Sequence, residues 1–196
     1  VLAPIGNIIL MDKAAVFIDN GYFKRVLRAT SAQGINLEAF SKWLCSRVNA
    51  EWYRTYFYDC MPHQSNPPTD QERQMFSRMN RFIYSIGKLP RFQVRMGRLI
   101  RLPDGHFKQK GVDIQLTIDL LRLSLRRDIQ KAILVACDSD FVPAVQEARN
   151  EGVLVFACFS RAGGCGIHDE LHTNCDDRIE LKAESFNEMK FLPDGR

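Results

Sequence analysis

Three short, almost uniformly apolar runs constrain this chain more than any other feature: Ala14–Ile18, Ala132–Cys137 and Val153–Phe159. They are short for buried helices and lack the alternation of a strand with one wet face. They read as strands buried on both faces, the kind found in parallel sheets covered by helices. The segments between them carry helical spacing. Tyr22–Ala29 has helical character, and Leu37, Phe40, Leu44 and Val48 recur at helical intervals. Trp52–Tyr58 fits a further strand ending near Asp59, and the proline-bearing stretch Cys60–Pro68 is a loop. Thr69 can cap a helix whose apolar stripe is Met75, Met79, Phe82, Ile83 and Ile86.

Phe92–Leu102 looks extended, and Pro103-Asp104-Gly105 is a turn signal, so this stretch should form an arm or hairpin. Gly111 opens a helix with Ile114, Ile118, Leu121 and Leu125 as its apolar stripe, widened by Leu116, Leu120 and Leu123. Pro143 suits the first turn of another helix, which stops at Gly152. A short helix precedes Arg178–Leu181. The alternation of strand and helix predicts an α/β fold around a mostly parallel sheet. At 196 residues the chain can bury a core as one domain without disulfide or metal staples.

Domain limits follow from the ends. Residues 1–13 are set outside the domain as a leader or upstream extension, 14–182 form the domain and 183–196 a C-terminal tail; residues 168–196, with eight acids against four basic side chains, read as solvated. The apolar start is too short to span a bilayer and has no basic region before it, which argues against a membrane anchor or secretory signal. Six cysteines without CxxC spacing match a reducing, cytoplasmic setting.

Asp19 follows the first apolar run, Asp138 and Asp140 follow the second, and Asp113 lies in the first turn of the helix opened by Gly111. In parallel sheets, ligands gather at the carboxyl ends of strands. If the two strands are neighbours, these acids meet at one sheet edge. Each alone is ordinary turn or helix-cap chemistry. Together they repel unless a cation joins them, and hard Mg²⁺ or Mn²⁺ suits an all-oxygen donor set. Asn20 and Ser139 could hold a water or orient a carboxylate, and are equally plausible as turn residues. Asp119 lies about 120° around the helix from Asp113, which keeps it off the site.

The stretches Ala15-Val-Phe-Ile-Asp-Asn20, Lys110-Gly-Val-Asp-Ile-Gln-Leu-Thr-Ile-Asp119 and Ile133-Leu-Val-Ala-Cys-Asp-Ser-Asp-Phe-Val-Pro143 resemble the NYN domain, specifically its LabA-like branch. The likeness runs from Ala14 to Leu181, with the motifs in the same order. It implies a PIN-like, three-layer α/β/α fold with strand order 3-2-1-4-5. It also implies metal-dependent ribonuclease activity, with Asp19, Asp113, Asp138 and Asp140 as catalytic, metal-holding acids. Cys137 departs from the small residue usual before the Asp-Ser-Asp element.

The net charge of +4 hides an asymmetry. Residues 81–110 carry eight basic side chains against one acid, leaving −3 for the rest. Arg91, Arg95, Arg98, Arg101 and Lys108 are candidate phosphate contacts, with Lys110 leading into the acidic helix. Phe92, Phe107 and Tyr22 could stack on unpaired bases. The partner so described is single-stranded RNA. The bland reading is an edge strand charged against aggregation. A free edge could also pair in a dimer. Two other functions fit the same residues: a non-catalytic RNA-binding module, or a phosphatase or nucleotide-processing enzyme. Cys165, His168, His172 and Cys175 have zinc-like spacing, but on one helix they would span about 15 Å, too far for one ion.

Overall fold

The structure is a computed structural model that describes residues 11–101 and 107–190; for Ile100, Arg101 and residues 107–109 only the backbone is described. The elements run β1 (Lys13–Asp19), α1 (Asn20–Ala29), α2 (Leu37–Arg47), β2 (Glu51–Cys60), α3 (Asp70–Gly87), β3 (Phe92–Arg101), β4 (Phe107–Lys110) and α4 (Val112–Leu125). They continue with β5 (Lys131–Val135), α5 (Val142–Asn150), β6 (Leu154–Phe159), α6 (Asp169–Asn174) and β7 (Asp177–Glu180). The sheet order is β4-β3-β2-β1-β5-β6-β7. Every neighbouring pair is parallel except β3 with β4.

The six parallel strands, counted along the chain, therefore run 3-2-1-4-5-6. This is the expected order with β7 added at the far edge, and it is consistent with a PIN-like fold. The expected hairpin is β3 with β4; its turn at 102–106 lies outside the described residues. So do residues 1–10 of the expected leader. The sheet ends in two four-residue strands, β4 and β7, and nothing in the described residues favours edge pairing into a dimer.

The apolar runs become strands because both sheet faces are covered. Residues 14–18 of β1 are all fully buried. Alternate side chains serve two cores, as a pleated strand requires. Val16, Ile18, Ile133 and Val135 meet Phe23, Phe40 and Leu44 on the face of α1 and α2. Ala15, Phe17, Tyr58 and Leu134 meet Leu116, Leu120 and Val145 on the face of α4 and α5. Thr69 caps α3 as its sequence suggests, in a capping box with Glu72.

Two expectations need correction. The buried stripe of α4 is Val112, Leu116, Leu120 and Leu123, whereas Ile114, Ile118 and Leu125 are exposed. The helix is apolar on two faces, so periodicity alone does not say which one meets the sheet. The tail is also not solvated throughout. Residues 183–189 form a 3-10 segment that buries Phe186 and Met189, and the Asn36 N–H donates to the Met189 carbonyl at 2.7 Å. Phe186 stacks on Phe40 with centroids 6.1 Å apart, closing the core that α2 leaves open.

Two glycines bring the start of α4 to the sheet. Gly111, the residue before the helix, has φ +89°, a conformation natural to glycine. At Gly97 in β3, a Cβ would lie 2.6 Å from Val112 Cγ2, 2.7 Å from Cys60 Sγ and 3.0 Å from the Lys110 carbonyl oxygen. Gly97→Ala should therefore cost about 1–3 kcal/mol, the usual scale of overpacking. Urea unfolding measures it; stability equal to wild type would show that the turn over β3 is not tightly packed.

Candidate active site

Asp19 is the last residue of β1 and caps α1. Its Oδ1 accepts from the N–H groups of Gly21 and Tyr22 at 2.8 and 3.4 Å. Burial pushes its carboxyl above the ordinary range, and the nearby charge of Asp113 pushes the same way; the two N–H bonds and Arg25 oppose this. Asp113 occupies the first turn of α4. Asp138 lies just past β5, which pairs with β1 in register up to Ile18 and Val135. Its Oδ1 accepts from the Asp140 N–H at 3.2 Å, capping the turn at 139–141.

Asp113, Ser139 and Asp140 line one open groove together with Glu170. Cys137 sits between two of the acids. Burial raises its thiol pKa, and the charges of Asp19 and Asp138 add to that, while Arg25 Nη2 lies 3.0 Å from the sulfur and opposes it. The four expected acids thus come to the carboxyl edge of β1 and β5.

A further acid stands there that the sequence reading passed over. Asp59, near the end of β2, is buried at 4% exposure. Its Oδ2 accepts from the Asn20 side-chain amide and from Lys24 Nζ, the latter at 3.0 Å; its Oδ1 accepts from the Cys60 N–H at 2.8 Å. Asn20 is therefore engaged with Asp59. The rule that singled out Asp19 and Asp138, an acid closing a buried strand, would also have found Asp59. Lys24 and Arg25 were missed too, although a helix that starts at Asp19 places its first turns beside that edge.

The basic segment is not one surface. Arg91 precedes β3 at the amino edge, stacks over Trp52 at 5.7 Å and donates to the Trp52 carbonyl. Arg95 Nε donates to Asp119 Oδ2 at 2.9 Å. Arg98 pairs across the hairpin with Lys110, next to the Cys60–Gly97 pair that ends at the acidic edge. Both are exposed. The side chains of Arg101, Lys108 and Phe107 lie outside the description. The other two aromatic candidates are not available for stacking. Tyr22 is buried, its hydroxyl donating to the Cys165 carbonyl at 2.7 Å, and Phe92 is buried against Trp52.

Asp119 is buried beneath the sheet, as its angle on α4 requires. It accepts from Tyr58 Oη at 3.1 Å, from Arg95 and from Arg122 Nη1 at 3.2 Å. Burial holds the Tyr58 phenol well above its usual pKa, so it stays a donor. In the zinc-like segment, His168 caps α6 and His172 stands edge-on to Phe159. Burial pushes the Cys175 thiol up to about 12, which disfavours the thiolate that binds metal.

Among the described residues, no group of three or more His, Cys, Asp or Glu side chains could hold a metal ion by itself. The four expected acids at this edge nonetheless offer an all-oxygen donor set, and the carboxyl of Asp19 is raised chiefly by its burial, with the charge of Asp113 adding to it. Mg²⁺ commonly uses one or two carboxylates and completes its shell with waters and substrate phosphates. The residues fit such a shared cation, not a closed protein cage.

The profile of the NYN domain family matches residues 13–182. No curated protein matches the sequence.

Removing the carboxylate at Asp119 would strand a buried tyrosine hydroxyl and two guanidinium groups. Asp119→Ala should cost about 3 kcal/mol, the lower end for a broken buried ion pair because both arginines reach solvent. Chemical denaturation reads this directly, and a change below about 1 kcal/mol would reduce the network to surface pairing.

Proposed function

The chain belongs to the NYN domain family, and from that premise we propose that it is a metal-dependent ribonuclease, using Mg²⁺ or Mn²⁺ to hydrolyse phosphodiester bonds in single-stranded RNA. The observation that carries this reading is the gathering of Asp19, Asp113, Asp138 and Asp140 at the carboxyl edge of adjacent β1 and β5. The Lys110-Gly-Val-Asp113 and Asp138-Ser-Asp-Phe-Val-Pro143 elements favour the LabA-like branch of the family.

A divalent cation bound there supplies charge stabilisation at the phosphoryl oxygens and lowers the pKa of water. Asp19 and Asp138 would hold it, with Asp113 and Asp140 completing the shell or orienting water. Ser139 stands between Asp138 and Asp140 and can position a carboxylate. Arg98 and Lys110, paired across the hairpin just before α4, can together hold a phosphate next to the scissile bond. Lys24 and Arg25 add positive charge on the α1 side. Asn20 positions Asp59 through its amide, and Asp59 in turn holds Lys24.

Six free thiols suit a reducing compartment, and we place the protein in the cytoplasm. Among the described residues no helix is long and apolar enough to cross a membrane.

Labelled single-stranded RNA incubated with Mn²⁺ should be cut, and EDTA should stop the cutting. Asp19→Asn and Asp138→Asn should each lower the rate by more than about a hundredfold, the scale of several kcal/mol of lost charge stabilisation. Circular dichroism should remain that of wild type. Retardation of RNA without cuts would favour the non-catalytic binding module instead. Phosphate release from a mononucleotide without RNA cleavage would favour the phosphatase reading. Full activity in both variants would overturn the site.

A further inference from the structure

α3 is an 18-residue helix of which only Ile86 is fully buried. Its apolar stripe is left partly uncovered, with Met75 at 49% and Phe82 at 39% exposure. Beside it lies a groove of about 540 Å³, within the range of ligand sites. Met61, Pro62, Met75, Met79 and Phe82 form its apolar walls. Lys24 and Arg78 supply its cations, and Asp59 and Cys60 also line it.

We infer that this groove is a subsite for an unpaired nucleobase of the RNA strand, next to the acidic edge. The inference rests on the ribonuclease reading above and adds where the strand lies. Continuity is the first argument. Asp59, in the groove wall, accepts from the side chain of Asn20, the residue that follows Asp19. A nucleotide seated in the groove is thus adjacent to the proposed reaction centre.

Charge is the second argument. A base carried on a phosphate backbone brings a flat apolar face and negative charge together. The groove offers the matching pair: thioether and aromatic walls, with Lys24 and Arg78 among the lining. The Lys24 ammonium has three donors, and its described bond, to Asp59, uses one. An apolar peptide helix would fill the walls but offer no acceptor to Arg78 or to the two remaining Lys24 donors, and burying them so is costly.

Shape is the third argument. Phe82 is held edge-on against Phe57 at 5.9 Å, giving one fixed wall. The methionines that share the lining are unbranched and polarizable, so they can adapt to bases of different size. The site would therefore bind bases with little sequence preference. It also supplies the stacking surface that the buried Tyr22 and Phe92 do not.

The test uses the full chain carrying Asp138→Asn, so that RNA is bound but not consumed. Single-stranded RNA with one 4-thiouridine is added with Mg²⁺, irradiated, and the cross-linked peptides are mapped. Cross-links should fall on the segment from Met75 to Phe82. In parallel, Met75→Gln, a neutral change on an exposed side chain, should weaken binding of an RNA octamer roughly tenfold, the scale of one lost base stack. It should leave binding of an abasic ribose-phosphate strand of equal length unchanged. Phe82→Leu serves as a second variant, with circular dichroism checking its fold.

Equal weakening for both strands, or cross-links confined to other segments, would overturn the inference while leaving the ribonuclease reading intact. So would wild-type self-association that Met75→Gln abolishes, since the groove would then be a contact between copies of the chain. Absence of both RNA binding and cleavage by the wild-type chain would overturn the ribonuclease reading, and this inference with it.

Discussion

The burial of β1 on every side is the constraint from which the rest of the molecule takes its position. Residues 14–18 have no exposed surface, with helices on both faces and parallel strands along both edges. A strand so enclosed has little freedom to slip, because a one-residue shift would exchange the side chains of its two cores. Its end is therefore fixed, and Asp19 is the residue at that end. Neighbouring β2 and β5 are indexed to β1 by their hydrogen bonds, so Asp59 and Asp138 inherit the same precision. The acidic edge follows from packing that is itself indifferent to the acids.

That arrangement carries an electrostatic cost. Asp19 is half-buried, close to Asp113, and its carboxyl is pushed toward the protonated form. The fold offsets part of this with the start of α1, whose N–H groups bond the Asp19 oxygen, and with Arg25. Asp59 is treated differently, since a lysine, an amide and a backbone N–H all satisfy it. Two acids at the ends of neighbouring strands thus have opposite environments. Asp59 behaves as a structural anchor, while the burial of Asp19 is only partly offset by its two N–H bonds and Arg25.

Much of this was legible in the sequence because buried strands leave a strong signature. Ala14–Ile18 and Ala132–Cys137 are uniformly apolar, and the acids that close them stand out against that background. The charges were less legible. Eight basic residues between 81 and 110 look like one surface when written in a line. A ten-residue strand spans about 33 Å and alternates its side chains. β3 accordingly carries Arg95 into a buried ion pair and Arg98 to the acidic edge, while Arg91, just before it, stays at the amino edge. The orientation of α4 was hidden for a related reason. Its exposed Ile114 and Ile118 are as apolar as its buried Leu116 and Leu120, so only the sheet decides between them.

α4 also shows how the position of Asp113 is set. The helix is held near its start by the close approach at Gly97 and farther along by the Asp119 network with Tyr58 and Arg95. Both attachments are to β2 and β3, and neither uses a residue of the acidic edge apart from Cys60. These attachments to the sheet carry Asp113 to the edge, where its charge and that of Asp19 repel. This explains how the acids can share an edge without closing into a cage. Tightening them would add to the repulsion between Asp19 and Asp113, whereas a cation entering with its waters and a phosphate could bridge the remaining distance. Stability comes from the two cores and the Asp119 network, and the acidic edge is set by packing that does not depend on its acids.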